Sequence, residues 1–196
     1  MRIGLLGGSF NPPHAAHRLI SEIALKRLGL TQVWWLVTPG NPLKSKRELL
    51  NVGERLEACR RLAADRRIVI TDFEKELRGA FTISTLGYLR ERHPGVHFVW
   101  LMGADNLAGM HRWRQWRDIF RIMPIAVIDR PRWRFKALAS PAAAAHAASR
   151  WPEAKAMRLA TAPAPAWLFL TGPLSDLSST ALRSARIIHR ATKRDN

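Results

Sequence analysis

Short apolar runs alternate with longer amphipathic stretches along the chain. Residues 3–6, 33–38, 67–71, 96–102, 125–128 and 167–170 are short and rich in Ile, Val, Leu, Phe or Trp, and most end at Gly, Pro or a polar residue. Runs of that length and composition predict buried strands. Residues 14–28 carry Ile20, Ile23, Ala24 and Leu28 near helical spacing and stop at Gly29, so they predict a helix. Residues 53–64, 82–93 (stopped by Pro94-Gly95) and about 179–191 predict further helices, with a Trp/Arg-rich helical region after Gly103.

Strand–helix alternation of this kind predicts an α/β, Rossmann-like fold: a mostly parallel sheet with helices on both faces. The length of 196 residues suits a single domain spanning residues 1–196. Within it, residues 137–166 are rich in Ala and Pro and are expected as a surface segment, either a helix or a loosely ordered connection. Ligands of such sheets bind beyond the carboxyl ends of the strands, at the point where strand order reverses. The loops after Leu6, Thr38, Met102 and Leu170 are therefore where chemistry is expected.

Charge adds a question. The chain holds 32 Lys and Arg against 15 Asp and Glu, a net charge of +17. Nucleic acid, an anionic membrane and phosphorylated small molecules are all raised as partners. The basic residues are spread evenly along the chain, which disfavours a nucleic-acid-binding tail. Arginine and tryptophan do interleave around residues 112–117 and 130–134, a composition that can stack on single-stranded bases, but no RRM, KH or helix-turn-helix signature accompanies them. A single cysteine, Cys59, excludes an internal disulfide and a multi-cysteine zinc site. The short apolar run at the amino terminus is too brief for a signal peptide, and no stretch reaches the roughly 18 apolar residues of a membrane helix. A soluble, cytoplasmic protein is expected.

The first loop reads Gly7-Gly8-Ser9-Phe10-Asn11-Pro12-Pro13-His14-Ala15-Ala16-His17. Glycines let the backbone approach a ligand, and the helix start that follows favours anions. His14 and His17, three apart, can share a helix face and donate to phosphate oxygens, offsetting developing charge when protonated. Zinc is the rival for H-x-x-H, but no third ligand lies nearby and HExxH is missing. One of the two rings can also simply cap or pack. At the other end, Ser178, Ser179 and Thr180 open a predicted helix with Arg183 a turn further on. They are either an ordinary N-cap or a phosphate cradle. Lys44 sits on a Pro-braced loop, where it can reach a phosphate or stay solvated. Gly103 can admit a nucleoside against the backbone, and Asp105 can accept from ribose hydroxyls or cap a helix. Trp113 can present a flat face to a ring or pack in the core.

Together these segments resemble a known family. GGSFNPPHAAH is similar to the GGTFDPxHxGH signature of the HxGH nucleotidyltransferase superfamily, with Asn11 in place of Asp and Ala16 in place of Gly. Residues 177–183 resemble its ISSTxIR motif, so the likeness spans nearly the whole chain. Residues 39–44 resemble the P-x-x-P-x-K segment of bacterial nicotinate-nucleotide adenylyltransferases, with Leu43 where His is common. Gly103, Asp105, Leu107 and Trp113 match their GxDxL…W block. Phe81 to Leu86 match their YTxxTL segment, with Phe81 for Tyr, and Arg130-Pro131 matches an RP pair.

The resemblance implies adenylyl transfer from ATP to nicotinate mononucleotide, giving deamido-NAD and pyrophosphate in NAD biosynthesis. It implies His14, His17, Lys44 and Arg183 as catalytic residues, with His17 foremost in charge stabilisation. ATP would be bound by Gly8, Ser9, Phe10, His14, His17, Gly103, Asp105, Arg130, Ser178, Ser179, Thr180 and Arg183. The mononucleotide would be bound by Ser9, Lys44, Thr82, Ile83, Thr85 and Trp113. Mg²⁺ would arrive on the ATP phosphates, with no metal site of the protein's own. A phosphorylated acceptor such as phosphopantetheine is the close alternative, disfavoured by the Trp113 block. A basic nucleic-acid-binding protein is the distant one. The partners implied are small molecules, with no membrane, and a homo-oligomer stays open.

Overall fold

Period-two alternation in the strands sorts their side chains onto two faces of one sheet. In the computed structural model, which describes residues 1–38, 50–73 and 81–172, six strands are present: β1 (Arg2–Gly8), β2 (Gln32–Val37), β3 (Ile68–Thr71), β4 (His97–Gly103), β5 (Ile125–Ile128) and β6 (Trp167–Leu170). Every paired neighbour is parallel, in the order β3-β2-β1-β4-β5-β6. That is the doubly wound order, in which the chain fills one half of the sheet outward from β1 and then returns to start the other half at β4. The Rossmann-like expectation holds.

Helices cover both faces. On one, α1 (Ala15–Arg27), α2 (Val52–Ala63) and a 3-10 segment (Glu153–Thr161) pack Ile20, Ala24, Leu56, Cys59 and Leu159 against Val33, Trp35, Val99, Leu101 and Leu168. On the other, α3 (Thr82–Arg92), α4 (Ala104–Gly109), α5 (Trp116–Ile122), α6 (Arg134–Leu138) and α7 (Pro141–Ala145) pack against Ile3, Leu5, Trp100, Met102 and Val127. Strands buried on both faces explain why the sequence shows continuous apolar runs instead of alternation.

Two expectations are corrected. β1 does not stop before the glycines but runs through them, Gly7 and Gly8 pairing with Leu36 and Val37 of β2. Gly7 lies under the Trp100 indole, and a methyl there would collide with that ring. Residues 137–166 are not merely a surface segment. Their short helical turns bury Ala137, Ala142, Ala143, Ala156, Leu159, Ala160 and Ala166. Alanine gives a weak hydrophobic signal, yet its small side chain lets these turns lie close on the sheet, and Ser140 caps α7 by accepting from the Ala143 N–H at 3.2 Å. The helix expected near residues 179–191 lies outside the described residues.

If the 153–161 segment is core, Leu159→Ala should destabilise the protein by about 2–4 kcal/mol, since Leu159 is fully buried. Urea denaturation measures this, and a loss under about 0.5 kcal/mol would make the segment peripheral.

Candidate active site

The crevice of a doubly wound sheet opens where neighbouring strands send their helices to opposite faces. Here that point lies between β1 and β4, since α1 joins one core cluster and α4 the other. The β1–α1 loop holds Ser9 to His14. Phe10 takes a left-handed backbone (φ 44°), and its ring is buried, stacked on Trp35 at 5.1 Å and tilted against His17 at 4.6 Å. Trp35 donates through Nε1 to Ser21 Oγ at 2.7 Å, and Ser21 donates to the His17 carbonyl at 2.9 Å. One buried tryptophan thus fixes both the turn and the first turn of α1.

His14 is the N-cap of α1 and His17 its third residue. Their rings sit 3.8 Å apart. The His14 N–H donates to His17 Nδ1 at 3.2 Å, in the reciprocal manner of a capping box. An accepting nitrogen carries no proton, so His17 holds its proton on Nε2 and presents a donor there. His14 is buried, 6% exposed, and its Nδ1 lies over the same helical turn without reaching full hydrogen-bond geometry. Burial, with the charge of Arg130 adding to it, pushes His14 down to about 4. At neutral pH His14 is an uncharged donor, and the His17 contact likewise suits a neutral ring. In the free protein desolvation holds the His14 ring in its neutral form.

On the other side of the crevice, Gly103 ends β4 and caps α4. A side chain at Gly103 would crowd Asp105 and come within 2.7 Å of Arg130 Cδ. The space a side chain at Gly103 would take is filled by the Asp105–Arg130 pair, whose Oδ1 and Nε are 3.7 Å apart. Asp105 Oδ1 is buried and makes no hydrogen bond among the described residues. Arg130 is held from behind, its N–H donating to Asp129 Oδ1 at 2.8 Å, while Asp129 Oδ2 accepts from Arg134.

The third group gathers where α3 begins. Ile83 and Trp113 pack against the same apolar cluster, and the Arg114 guanidinium lies 4.8 Å from the centre of the Phe81 ring. Ser84 and Thr85 are the residues whose N–H groups bond back to the Phe81 carbonyl. The N–H groups of Thr82 and Ile83 precede that ladder, as helix starts require. Thr85 itself is fully buried.

The structure thus brings Gly8, Ser9, Phe10, His14 and His17 together on the β1 side, Gly103, Asp105 and Arg130 on the β4–β5 side, and Thr82, Ile83 and Trp113 at the α3–α5 edge. Lys44, Ser178, Ser179, Thr180 and Arg183 lie outside the described residues. Among those described, no group of three or more His, Cys, Asp or Glu residues is placed to hold a metal ion. No helix among them is long and apolar enough to cross a membrane. Sequence reasoning missed Arg55. It falls on the apolar stripe of α2 with Leu56, Cys59 and Ala63, and an arginine in such a stripe was the signal. It also missed the Phe10–Trp35 stack, which pattern alone cannot place.

A parallel sheet in this order with a paired-histidine helix start at its reversal point is the architecture of a Rossmann-like nucleotidyltransferase. The family profile described as cytidylyltransferase-like matches residues 5–185. A protein of Agrobacterium fabrum named "Probable nicotinate-nucleotide adenylyltransferase" is 54% identical over 184 residues, covering 94% of this chain and 98% of its own. One of the same name from Bradyrhizobium sp. (strain BTAi1) is 57% identical over 184 residues, covering 94% and 96%. The chain belongs to the cytidylyltransferase-like family and, within it, to the nicotinate-nucleotide adenylyltransferases. The fold is also that of the Plasmodium falciparum nicotinic acid mononucleotide adenylyltransferase solved with NaAD, with a TM-score of 0.69 and 16% identity over 93% of this chain and 82% of that one.

The depressed His14 value has a consequence for stability. The unfolded ring titrates near 6.5 and the folded one at about 4. Between those values the unfolded chain binds the extra proton, so the contribution is complete above pH 6.5 and is lost as pH falls toward 4, by at most about 1.4 kcal/mol per unit. Urea titrations at pH 7.5 and 4.5 should show wild type losing more stability than His14→Gln. Equal losses would mean that His14 titrates normally.

Proposed function

We propose that the chain transfers the adenylyl group of MgATP to nicotinate mononucleotide, releasing pyrophosphate. The observation that carries this is the histidine pair at the start of α1, facing the Asp105–Arg130 pair across the β1–β4 crevice. An oxygen of the mononucleotide 5′-phosphate attacks the α-phosphorus of ATP in line. The new P–O bond forms as the bond from that phosphorus to the bridging oxygen of pyrophosphate breaks. A phosphate monoester is already anionic near pH 7, so the attack needs no general base. Catalysis reduces to holding two polyanions in line and stabilising the charge that moves onto the leaving oxygen.

In this scheme His17 Nε2–H and His14 donate to the phosphates around the reacting centre, as neutral donors preset by their helix start. The N–H groups of Gly8, Ser9 and Phe10 line the same loop. Asp105 Oδ1 accepts from the ATP ribose, and Arg130 holds that carboxylate in place beside the nucleoside. Trp113 stacks on the pyridine ring while the first N–H groups of α3, from Thr82 and Ile83, meet its carboxylate. Lys44 assists at the phosphates, and Ser178, Ser179, Thr180 and Arg183 take the β- and γ-phosphates, as the family motifs imply. Mg²⁺ enters as part of the nucleotide substrate.

The test is a pyrophosphate assay with MgATP and a panel of acceptors. Release with nicotinate mononucleotide is expected; release only with phosphopantetheine, or none together with salt-sensitive oligonucleotide binding, would overturn the reading. His17→Ala should lower kcat by a few hundred-fold, about 3–4 kcal/mol, and a folded variant with near-normal turnover would remove His17 from the mechanism. Trp113→Ala should raise KM for the mononucleotide about tenfold, the worth of one lost ring stack, with little change for ATP. Equal changes for both substrates would make Trp113 a packing residue.

A further inference from the structure

Arg55 is among the largest fully buried side chains of the protein, at 1% exposure. Its Nη1 donates to the carbonyls of Ser9 and Thr38, each at 2.7 Å, and its Nε donates to the carbonyl of Leu50 at 3.1 Å. Those carbonyls belong to the turn after β1, the residue after β2 and the approach to α2. A second tie runs alongside: Asn11 Oδ1 accepts from the Leu50 N–H at 3.2 Å. A buried guanidinium is costly to desolvate, and its retention at a junction of three chain segments calls for a reason beyond packing.

The reason lies in the peptide that follows Ser9. The carbonyl of Ser9 and the N–H of Phe10 share one trans peptide and point in opposite directions. Drawing that carbonyl inward onto Arg55 turns the Phe10 N–H outward. Phe10 also sits at φ 44°, a left-handed conformation that costs a non-glycine residue about 1–3 kcal/mol and persists only where its surroundings enforce it. Its ring is clamped by Trp35 and His17 on one side and its carbonyl neighbour by Arg55 on the other.

We propose that Arg55 is a positioning residue for adenylyl transfer: its fork sets the Ser9–Phe10 peptide, and with it the aim of the Phe10 N–H and the seat of His14 and His17. It touches no substrate and acts through that turn. This inference rests on the adenylyl-transfer reading above. Lysine keeps the buried charge, but its donors radiate from one atom and cannot reproduce bonds made from both Nε and Nη1.

The experiment first measures pyrophosphate release by wild type with MgATP and nicotinate mononucleotide; a silent wild type overturns the reading itself and this inference with it. With wild type active, Arg55→Lys and Arg55→Gln are compared for melting, kcat and KM. Folded variants should lose about 10- to 100-fold in kcat, the effect of misplacing a reacting group by about 1 Å, with both KM values within about threefold. In a His17→Ala background the loss from Arg55→Lys should be several-fold smaller than in wild type, because one of the groups being positioned is gone. Wild-type kcat in either folded variant, a loss confined to KM, or an equal loss with and without His17 would overturn the positioning role. So would failure of both variants to fold, which would leave Arg55 as structural support alone.

Discussion

The reversal of strand order between β1 and β4 is the constraint from which the rest follows. A parallel sheet must send each strand's outgoing chain to one face or the other. Only at the reversal point do two adjacent strands send theirs apart, leaving a gap beyond their carboxyl ends. Loop residues that would otherwise abut a neighbouring crossover are free there to face a ligand. His14 and His17 come from one lip of that gap, and Asp105 from the other, with Arg130 of the next loop alongside. The electrical coupling of Arg130 to His14 is the sign that the two lips are close.

Burial at that gap sets the charge of His14. A phosphate-binding histidine is easily imagined as a cation, and a chain of net charge +17 encourages the picture. The free protein instead keeps His14 uncharged, because burial and Arg130 both oppose protonation. Arg130, whose guanidinium stays charged, supplies positive charge beside that buried ring, and the capping contact with His17 holds the pair in place. Among the described residues most of the remaining basic groups are exposed, and a minority pair locally, as in the Arg18–Glu22, Arg67–Asp65 and Arg121–Asp118 contacts. They contribute a general field that draws in polyanions more than any specific contact.

Most of the fold was legible because parallel strands buried on both faces leave continuous apolar runs that no loop imitates. β5 and β6 fall where their sequences place them, and β1 to β4 and α1 to α3 shift by a residue or two at their ends. What escaped detection shares a physical cause. Ala142, Ala143 and Ala160 pack by being small, so they enter the core with little hydrophobic signal. Gly7 continues β1 by pairing with Leu36, and it is glycine where Trp100 occupies the space a side chain would need, a long-range fact that no local pattern contains. At the site, the first loop and the Gly103–Trp113 block were readable as motifs. The burial of Thr85 and the filling of the space beside Gly103 by Asp105 and Arg130 depend on neighbours distant in sequence. Arg55 was visible only as an anomaly, a charge on an apolar helix stripe.

In the proposed reaction one crevice, between β1 and β4, holds both substrates with the histidine pair at the reacting phosphates. A crystal structure of the protein with deamido-NAD bound tests it most directly. The bridging phosphates are expected within hydrogen-bond distance of His14 and His17, the adenylate ribose at Asp105 and the pyridine ring against Trp113. A product seated elsewhere, with its phosphates on the Arg- and Trp-rich surface around α6 and the histidine pair uncontacted, would contradict it.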